Sequence, residues 1–243
     1  MKKSTNYFDF VSLVNDFIEK GRREHILQLY TEDEFLDGRF IHIDRKQLIN
    51  FGSCSYLGLE IDDRLKAAAI DAIQRYGVQY SSSRSYVSGP LYKELEELVG
   101  KIFEAPILLT PTITLGHQAV IPIAVESGDA ILLDQQVHAS VQYPAKNMQL
   151  QGVSVSVIRH NNMEELELAI INKLPHARRI WYMADGIYSM YGDFKKKKKL
   201  ELLLAKYPKL HLYIDDAHGM SWTGKSGRGF VLSQMKLHPR MIV

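Results

Sequence analysis

Cysteine is nearly absent from this chain: among 243 residues there is one, Cys54. A single thiol can neither close an intrachain disulfide nor supply a cysteine metal cluster, so nothing points to an oxidising compartment. A charge excess of either sign is also lacking, with 30 lysines and arginines against 28 aspartates and glutamates. Without a net field the chain is not marked for nucleic acid or for an anionic membrane surface. Long hydrophobic runs are missing too. Asp9, Ser12, Asn15 and Asp16 break up the N-terminal segment where a signal peptide needs an apolar stretch, and Pro111, Gly116, His117 and Pro122 break up the apolar region near residues 107–125. The expectation is a soluble, cytoplasmic protein without a membrane span. Its 46% hydrophobic content suffices for a sizeable core.

Residues 1–50 combine a helical pattern (Phe10, Leu13, Val14, Phe17, Ile18) with two strand-like segments, Arg39–Asp44 and Gln47–Phe51, and read as an N-terminal arm with its own hairpin. Residues 51–243 change character. Amphipathic helices are expected over Arg64–Tyr76 and after Pro90, the latter with Leu91, Leu95, Leu98, Val99 and Ile102 inward. Short β-rich runs then recur at Ile107–Thr110, Ala130–Asp134, Val153–Arg159, Arg179–Ala184 and His211–Asp215, with helical stretches near Leu115–Glu126, Ala139–Met148, Met163–Lys173 and Leu200–Tyr207. Strands alternating with helices of this length predict an α/β fold, a mostly parallel sheet covered on both faces. Lys195–Lys199 reads as a solvated first turn of a helix, with anion binding as the alternative. Arg240–Val243 reads as the opening of another buried strand with no turn or polar tail after it, so the sequence is expected to be the front part of a longer protein.

In such sheets ligands gather beyond the carboxyl ends of the strands, which directs attention to the residues after each apolar run. Asp215-Asp216-Ala217-His218 follows Leu210–Ile214 and is the strongest single signal. These residues could hold a metal, but no other Asp/His pair has ligand spacing, and no metal site is expected. A purely structural role as cap and satisfied histidine is open, as is a carboxylate partnering a cationic ring nitrogen of an organic cofactor. His138 follows the run ending at Asp134 and on its own reads more readily as a helix-capping or core histidine than as a site residue. Thr112 and Thr114 precede a helix start, where free backbone N–H groups could cradle a phosphate or where one hydroxyl could serve as an N-cap. Asp185–Asp193 forms a turn-rich loop after the Arg179–Ala184 run.

Taken in order, Phe51–Leu59 (FGSCSYLGL), Val87-Ser88-Gly89, Gln118-Ala119-Val120, Asp134–Ser140 (DQQVHAS), Asp185–Asp193 (DGIYSMYGD), Asp215–Gly219 (DDAHG) and Gly224–Gly229 (GKSGRG) closely resemble the α-oxoamine synthase family. These are fold type I enzymes of the aminotransferase class I/II superfamily, dependent on pyridoxal 5'-phosphate (PLP). The resemblance implies a three-layer large domain behind an N-terminal arm, with a small C-terminal domain not contained in this sequence. It implies that Asp215 faces the pyridine nitrogen, His218 bonds the phenolic oxygen, His138 stacks on the ring and Ser189 contacts the cofactor. Ile113 and Thr114 fall where the family meets the cofactor phosphate, with Thr112 as a hydroxyl donor beside them.

The family joins a small amino acid to an acyl-CoA thioester, and its members are homodimers. The family's Schiff-base lysine follows the strand after GKSGRG. No lysine of this chain matches that position, and the chain alone is expected to be weak or inactive. Two alternatives are a lysine-free partner subunit that stabilises an active homologue, and a class I/II aminotransferase. Against the family pattern, Cys54-Ser55 replaces an Asn-Asp, Asp185 stands where glutamate is usual, and Lys195–Lys199 replaces a more mixed segment. Ser81–Ser85 resembles the family's glycine- and serine-rich loop.

Overall fold

The computed structural model describes residues 7–194 and 197–243, which divide into two compact units, Met1–Gln79 and Tyr80–Val243. In the first unit, helix α1 (Tyr7–Arg23) precedes an antiparallel hairpin of β1 (Phe40–Ile43) and β2 (Lys46–Ile49). The hairpin turns on Asp44 and Arg45, both left-handed with φ of 50° and 60°, the backbone of a tight two-residue connection. Helix α2 (Asp63–Tyr76) begins where Asp62 accepts a hydrogen bond from the Arg64 amide, and it ends at Gly77. Its apolar Leu65 and Ile73 are exposed, as are Leu13 and Phe17 of α1.

In the second unit, α3 (Pro90–Phe103) and α4 (Ile113–Ala124) lead into a five-stranded, wholly parallel sheet. Its members are β3 (Ala130–Asp134), β4 (Ser154–Ile158), β5 (Ile180–Asp185), β8 (Leu210–Asp215) and β9 (Met241–Ile242), in spatial order β4-β3-β5-β8-β9. A small antiparallel hairpin, β6 (Ile187–Tyr188) with β7 (Asp193–Phe194), projects beyond β5. The crossovers run through α5 (Ala139–Asn147), α6 (Met163–Lys173), α7 (Lys197–Lys206) and α8 (Phe230–Gln234). No helix among the described residues is long and apolar enough to cross a membrane.

Alternation along the strands makes two cores. Ile131, Leu133, Trp181, Met183 and Tyr213 point to one face, where Ile121 of α4 and Val141 and Ala145 of α5 cover them. Leu132, Tyr182, Leu212 and Ile214 point to the other face, against Leu166 and Ile170 of α6, Leu203 and Leu204 of α7, and Val231 of α8. Because β3 and β5 are apolar on both faces, only a three-layer arrangement removes both side-chain sets from water. The result is the three-layer α/β arrangement with a parallel sheet covered on both faces that the sequence predicts.

Two local expectations fail. No strand forms at Ile107–Thr110. Pro106 and Pro111 bracket the segment, and Leu109 spends its amide on Glu96 Oε1 (3.3 Å) and its carbonyl on the Arg84 guanidinium (2.9 Å) instead of on a ladder. Leu91, Leu95 and Leu98 of α3 do not turn inward either, each being exposed. An apolar stripe at helical spacing guarantees an amphipathic face but not a partner for it. Of Lys195–Lys199, the first two residues lie outside the described set, and Lys199 pairs with Glu164.

Candidate active site

The chain runs from β3 outward to β4 and returns to β5 on the other side of β3. The connection leaving β3 packs on one face and the connection leaving β5 on the other, so a crevice opens between their carboxyl ends. Three aspartates mark this edge, Asp134, Asp185 and Asp215, each the last residue of its strand and each buried. Asp185 and Asp215 are direct neighbours in register.

Asp215 is held as an anion from two sides. Its Oδ2 accepts a hydrogen bond from His117 Nε2 at 3.0 Å, and its Oδ1 accepts from the Ala217 amide at 3.1 Å. Burial pushes this carboxyl upward, yet His117 and the Ala217 amide outweigh it, and the group sits below the usual carboxylate range. Tyr213 completes the chain, its hydroxyl donating to His117 Nδ1 at 2.7 Å. With Tyr213 donating to one ring nitrogen and Asp215 able only to accept from the other, the neutral Nε2–H tautomer of His117 satisfies both contacts. Neither His117 nor Tyr213 stood among the expected site residues. The legible signals were slight: Tyr213 lies two residues before Asp215 on the same face of β8, and His117 lies one helical turn after Thr114.

His117 ties the strand end to the N-terminus of α4. There Thr112 is the N-cap, its Oγ1 accepting from the Leu115 amide at 3.2 Å, and the helix itself provides no partner for the amides of Ile113 and Thr114. The N-cap role and an anion cradle therefore coincide at Thr112. Ile113 is exposed and Thr114 half-buried.

His138 caps α5, its Nδ1 accepting from the Ser140 amide at 3.2 Å, while its own amide donates to Asp185 Oδ1 at 3.2 Å. Its ring lines a cavity of about 170 Å³ together with Asp185, Tyr188 and Ser189. Ser189 is exposed at the tip of the β6–β7 hairpin. His218 is half-buried in the turn after β8, its carbonyl accepting from Trp222 Nε1 at 2.7 Å.

Asp216, next to Asp215, is buried behind the site. Burial and the neighbouring Asp215 push its carboxyl up to about 6, although the Val231 amide donates to its Oδ2 at 2.8 Å. Gly186, Gly219 and Gly229 surround it, and a Cβ at any of the three would collide with its carboxylate. Those glycines are required by close approach. Among the described residues no group of three or more His, Cys, Asp or Glu side chains is arranged to hold a metal ion.

The family model for aminotransferase class I and II matches residues 46–241. Among curated proteins, 8-amino-7-oxononanoate synthase of Thermoanaerobacter pseudethanolicus is 30% identical over 95% of this chain and 58% of its own length. The Treponema denticola protein of the same name is 34% identical over 83% of this chain and 50% of its own length. The chain thus spans about half the length of the curated relatives it matches. Among solved structures, a serine palmitoyltransferase from S. paucimobilis with bound PLP-myriocin superposes with a TM-score of 0.82 at 21% identity, covering 97% of this chain and 61% of that one. A Francisella tularensis 8-amino-7-oxononanoate synthase superposes at 0.60 and 21% identity, over 75% and 49% of the two chains. At such identities the superpositions establish the fold alone.

Proposed function

This chain belongs to the aminotransferase class I and II family, and on that premise we propose that it is the cofactor-binding part of a PLP-dependent enzyme condensing a small amino acid with an acyl-CoA thioester. The observation that carries this reading is the Asp215–His117 pair. It keeps a buried carboxylate ionised at a strand end and joins it to a helix N-terminus with two amides its helix leaves unpaired.

The donor set fits the cofactor in kind: an anion for a pyridinium nitrogen, amides and hydroxyls for a phosphate, and an imidazole for a ring face. When bound, PLP supplies an electron-withdrawing ring that stabilises negative charge at the α-carbon of an amino acid. Asp215 holds a proton on the ring nitrogen, and His117 holds Asp215 ionised and in place. Thr112, Ile113 and Thr114 bind the phosphate, where the helix dipole adds to the hydrogen bonds. His138 covers one face of the ring, with Ser189 and His218 as polar contacts to its substituents. The amino acid and acyl-CoA of the reaction, and a homodimer of the complete protein, belong to the same proposal, as does the division into an arm (1–50) and a cofactor-binding domain (51–243).

We further propose that the nucleophilic lysine is not among the lysines of the described residues. The described residues lining the His138 cavity include no lysine, and Lys236 lies exposed after α8 in a groove lined also by Leu232 and His238. A partner subunit without that lysine is the second reading, and the same observation favours it.

The test is a PLP titration of the purified chain followed by borohydride reduction. Saturable binding that inorganic phosphate displaces and Asp215→Asn weakens, with no lysine labelled, is the expected result. Absence of binding refutes the cofactor site, and a stoichiometrically labelled lysine among the described residues refutes the lysine proposal.

A further inference from the structure

Outside the Asp215 chain, the densest polar cluster lies at the end of β3. The Asp134 carboxylate is wholly buried and accepts from four donors: His160 Nδ1 (2.8 Å), the Asn161 amide (3.1 Å), the Gln136 amide (2.9 Å) and the Tyr182 hydroxyl (3.1 Å). Across the imidazole of His160, Nε2 donates to Asp193 Oδ2 at 2.8 Å, and Asn161 Nδ2 reaches the same oxygen at 2.7 Å. Asn161 makes both of its contacts from a left-handed backbone, φ 53°, which asparagine tolerates better than most residues.

Asp193 is the returning strand of the β6–β7 hairpin, paired with Tyr188 in register. His160 also meets the hairpin through its ring, edge-on to Tyr188 at 4.5 Å and stacked on Tyr191 at 5.6 Å. Its three contacts therefore flank Ser189 on both sides in sequence. Ser189, Met190 and Tyr191 line the cavity that His138 lines from α5.

We propose that His160 is a positioning residue for the candidate site, bridging the rigid end of β3 to the β6–β7 hairpin and so holding Ser189 beside His138. The relevance of Ser189 rests on the cofactor reading above; the bridge itself does not. The hydrogen-bond inventory adds a consequence. Both carboxylates can only accept, so both ring nitrogens must carry protons for both bonds to exist, and the bridge is complete only in the imidazolium form.

The groups facing the ring are Asp134 from β3, Asp193 from β7, and the phenols of Tyr188 and Tyr191, while the Tyr182 hydroxyl donates to Asp134. Burial opposes the charge on His160, but the two carboxylates override it and the group lies above its ordinary value of 6.5. The clamp is therefore fully present below the ordinary histidine range and is lost as pH rises through the raised value of the closed hairpin. Opening should weaken cofactor retention at alkaline pH.

The test is amide hydrogen exchange on the whole chain across a pH series, with rates corrected for intrinsic exchange. Reporters are Tyr191 and Gly192, whose amides donate to the Tyr188 carbonyl at 3.3 and 2.8 Å. Protection of both should fall roughly tenfold as His160, followed by its own ring resonances, loses its proton. Asp193→Asn, at a site with a 40% exposed side chain, should fold and move the transition to lower pH, and His160→Gln should abolish it. Protection that ignores His160 titration, or a transition that Asp193→Asn leaves unmoved, overturns the clamp. PLP affinity measured over the same pH series separates the two claims. If the hairpin loosens while affinity stays constant, the clamp stands and the assignment of Ser189 to the site falls.

Discussion

Replacing His117 by phenylalanine tests the pair on which the site is built. The ring keeps most of its volume, so packing beside Ile121 and Tyr213 changes little, while two hydrogen bonds vanish. One is a donor to an ionised, buried acceptor, worth about 1.5–3 kcal/mol. The other leaves the Tyr213 hydroxyl without its acceptor in a position that burial already makes costly, at about 1–3 kcal/mol. Together the loss at neutral pH should be about 3–5 kcal/mol, a large share of the roughly 5–15 kcal/mol that stabilises an ordinary domain.

The pH dependence distinguishes charge from packing. In the native chain the Asp215 carboxyl lies below its ordinary value, so its contribution is present above that value and disappears as pH falls through the lowered one. Without His117, burial dominates and the carboxyl rises, so the variant should lose stability with increasing pH where the native chain does not. Urea unfolding followed by the fluorescence of Trp181 and Trp222 at pH 4.5 and 7.5 measures both quantities. The gap between the two chains should be wider at pH 7.5. Adding Asp215→Asn to the variant should recover part of the loss, because a neutral amide does not need the N–H donor that the buried carboxylate needs. A gap that is equal at the two pH values, or strictly additive losses, would refute the argument that an ionised Asp215 is what His117 supports.

Asp216 has the opposite sign: its carboxyl is pushed up to about 6, so it favours the fold when protonated and that contribution is lost as pH rises from the ordinary aspartate range to about 6. Asp216→Asn should flatten stability over that interval, provided its amide oxygen still accepts from Val231, and a pH series of melting temperatures reads this directly. Leu132→Ala, at a fully buried position of β3, should cost about 2–5 kcal/mol, whereas Leu13→Ala, 65% exposed on α1, should change stability by less than about 0.5 kcal/mol by the same urea assay.

Much of the architecture was legible because period and length carry it. Met163–Lys173 was delimited as it occurs, with Asn162 accepting from the Glu165 amide at its start, and Ala130–Asp134 likewise. Runs such as Ala130-Ile131-Leu132-Leu133, apolar at every position, announce burial on both faces. Ile107–Thr110 has the same local appearance, but prolines at both ends and the commitments of Leu109 to Arg84 and Glu96 remove it from the ladder. Those two partners lie 25 and 13 residues away, beyond any local window. The apolar stripe of α3 shows the same limit, since periodicity defines the face and tertiary packing decides whether it is covered.

The site divides along the same line. The strand ends at Asp134 and Asp215 were readable from short apolar runs giving way to polar residues, whereas Asp185, read as the first residue of a loop, closes β5. The sequence also marked Thr112 and His138 as helix starts, through hydroxyl and imidazole side chains that satisfy free amides locally. Which groups meet there depends on contacts between distant parts of the chain. His117 reaches Asp215 across 98 residues, and His160 reaches Asp134 across 26 and Asp193 across 33. Ionisation depends on what surrounds a carboxyl after folding: Asp215 and Asp216 are chain neighbours of identical chemistry, yet His117 of α4 and the Ala217 amide hold the first below the ordinary value, while burial and Asp215 itself push the second above it despite the Val231 amide of α8.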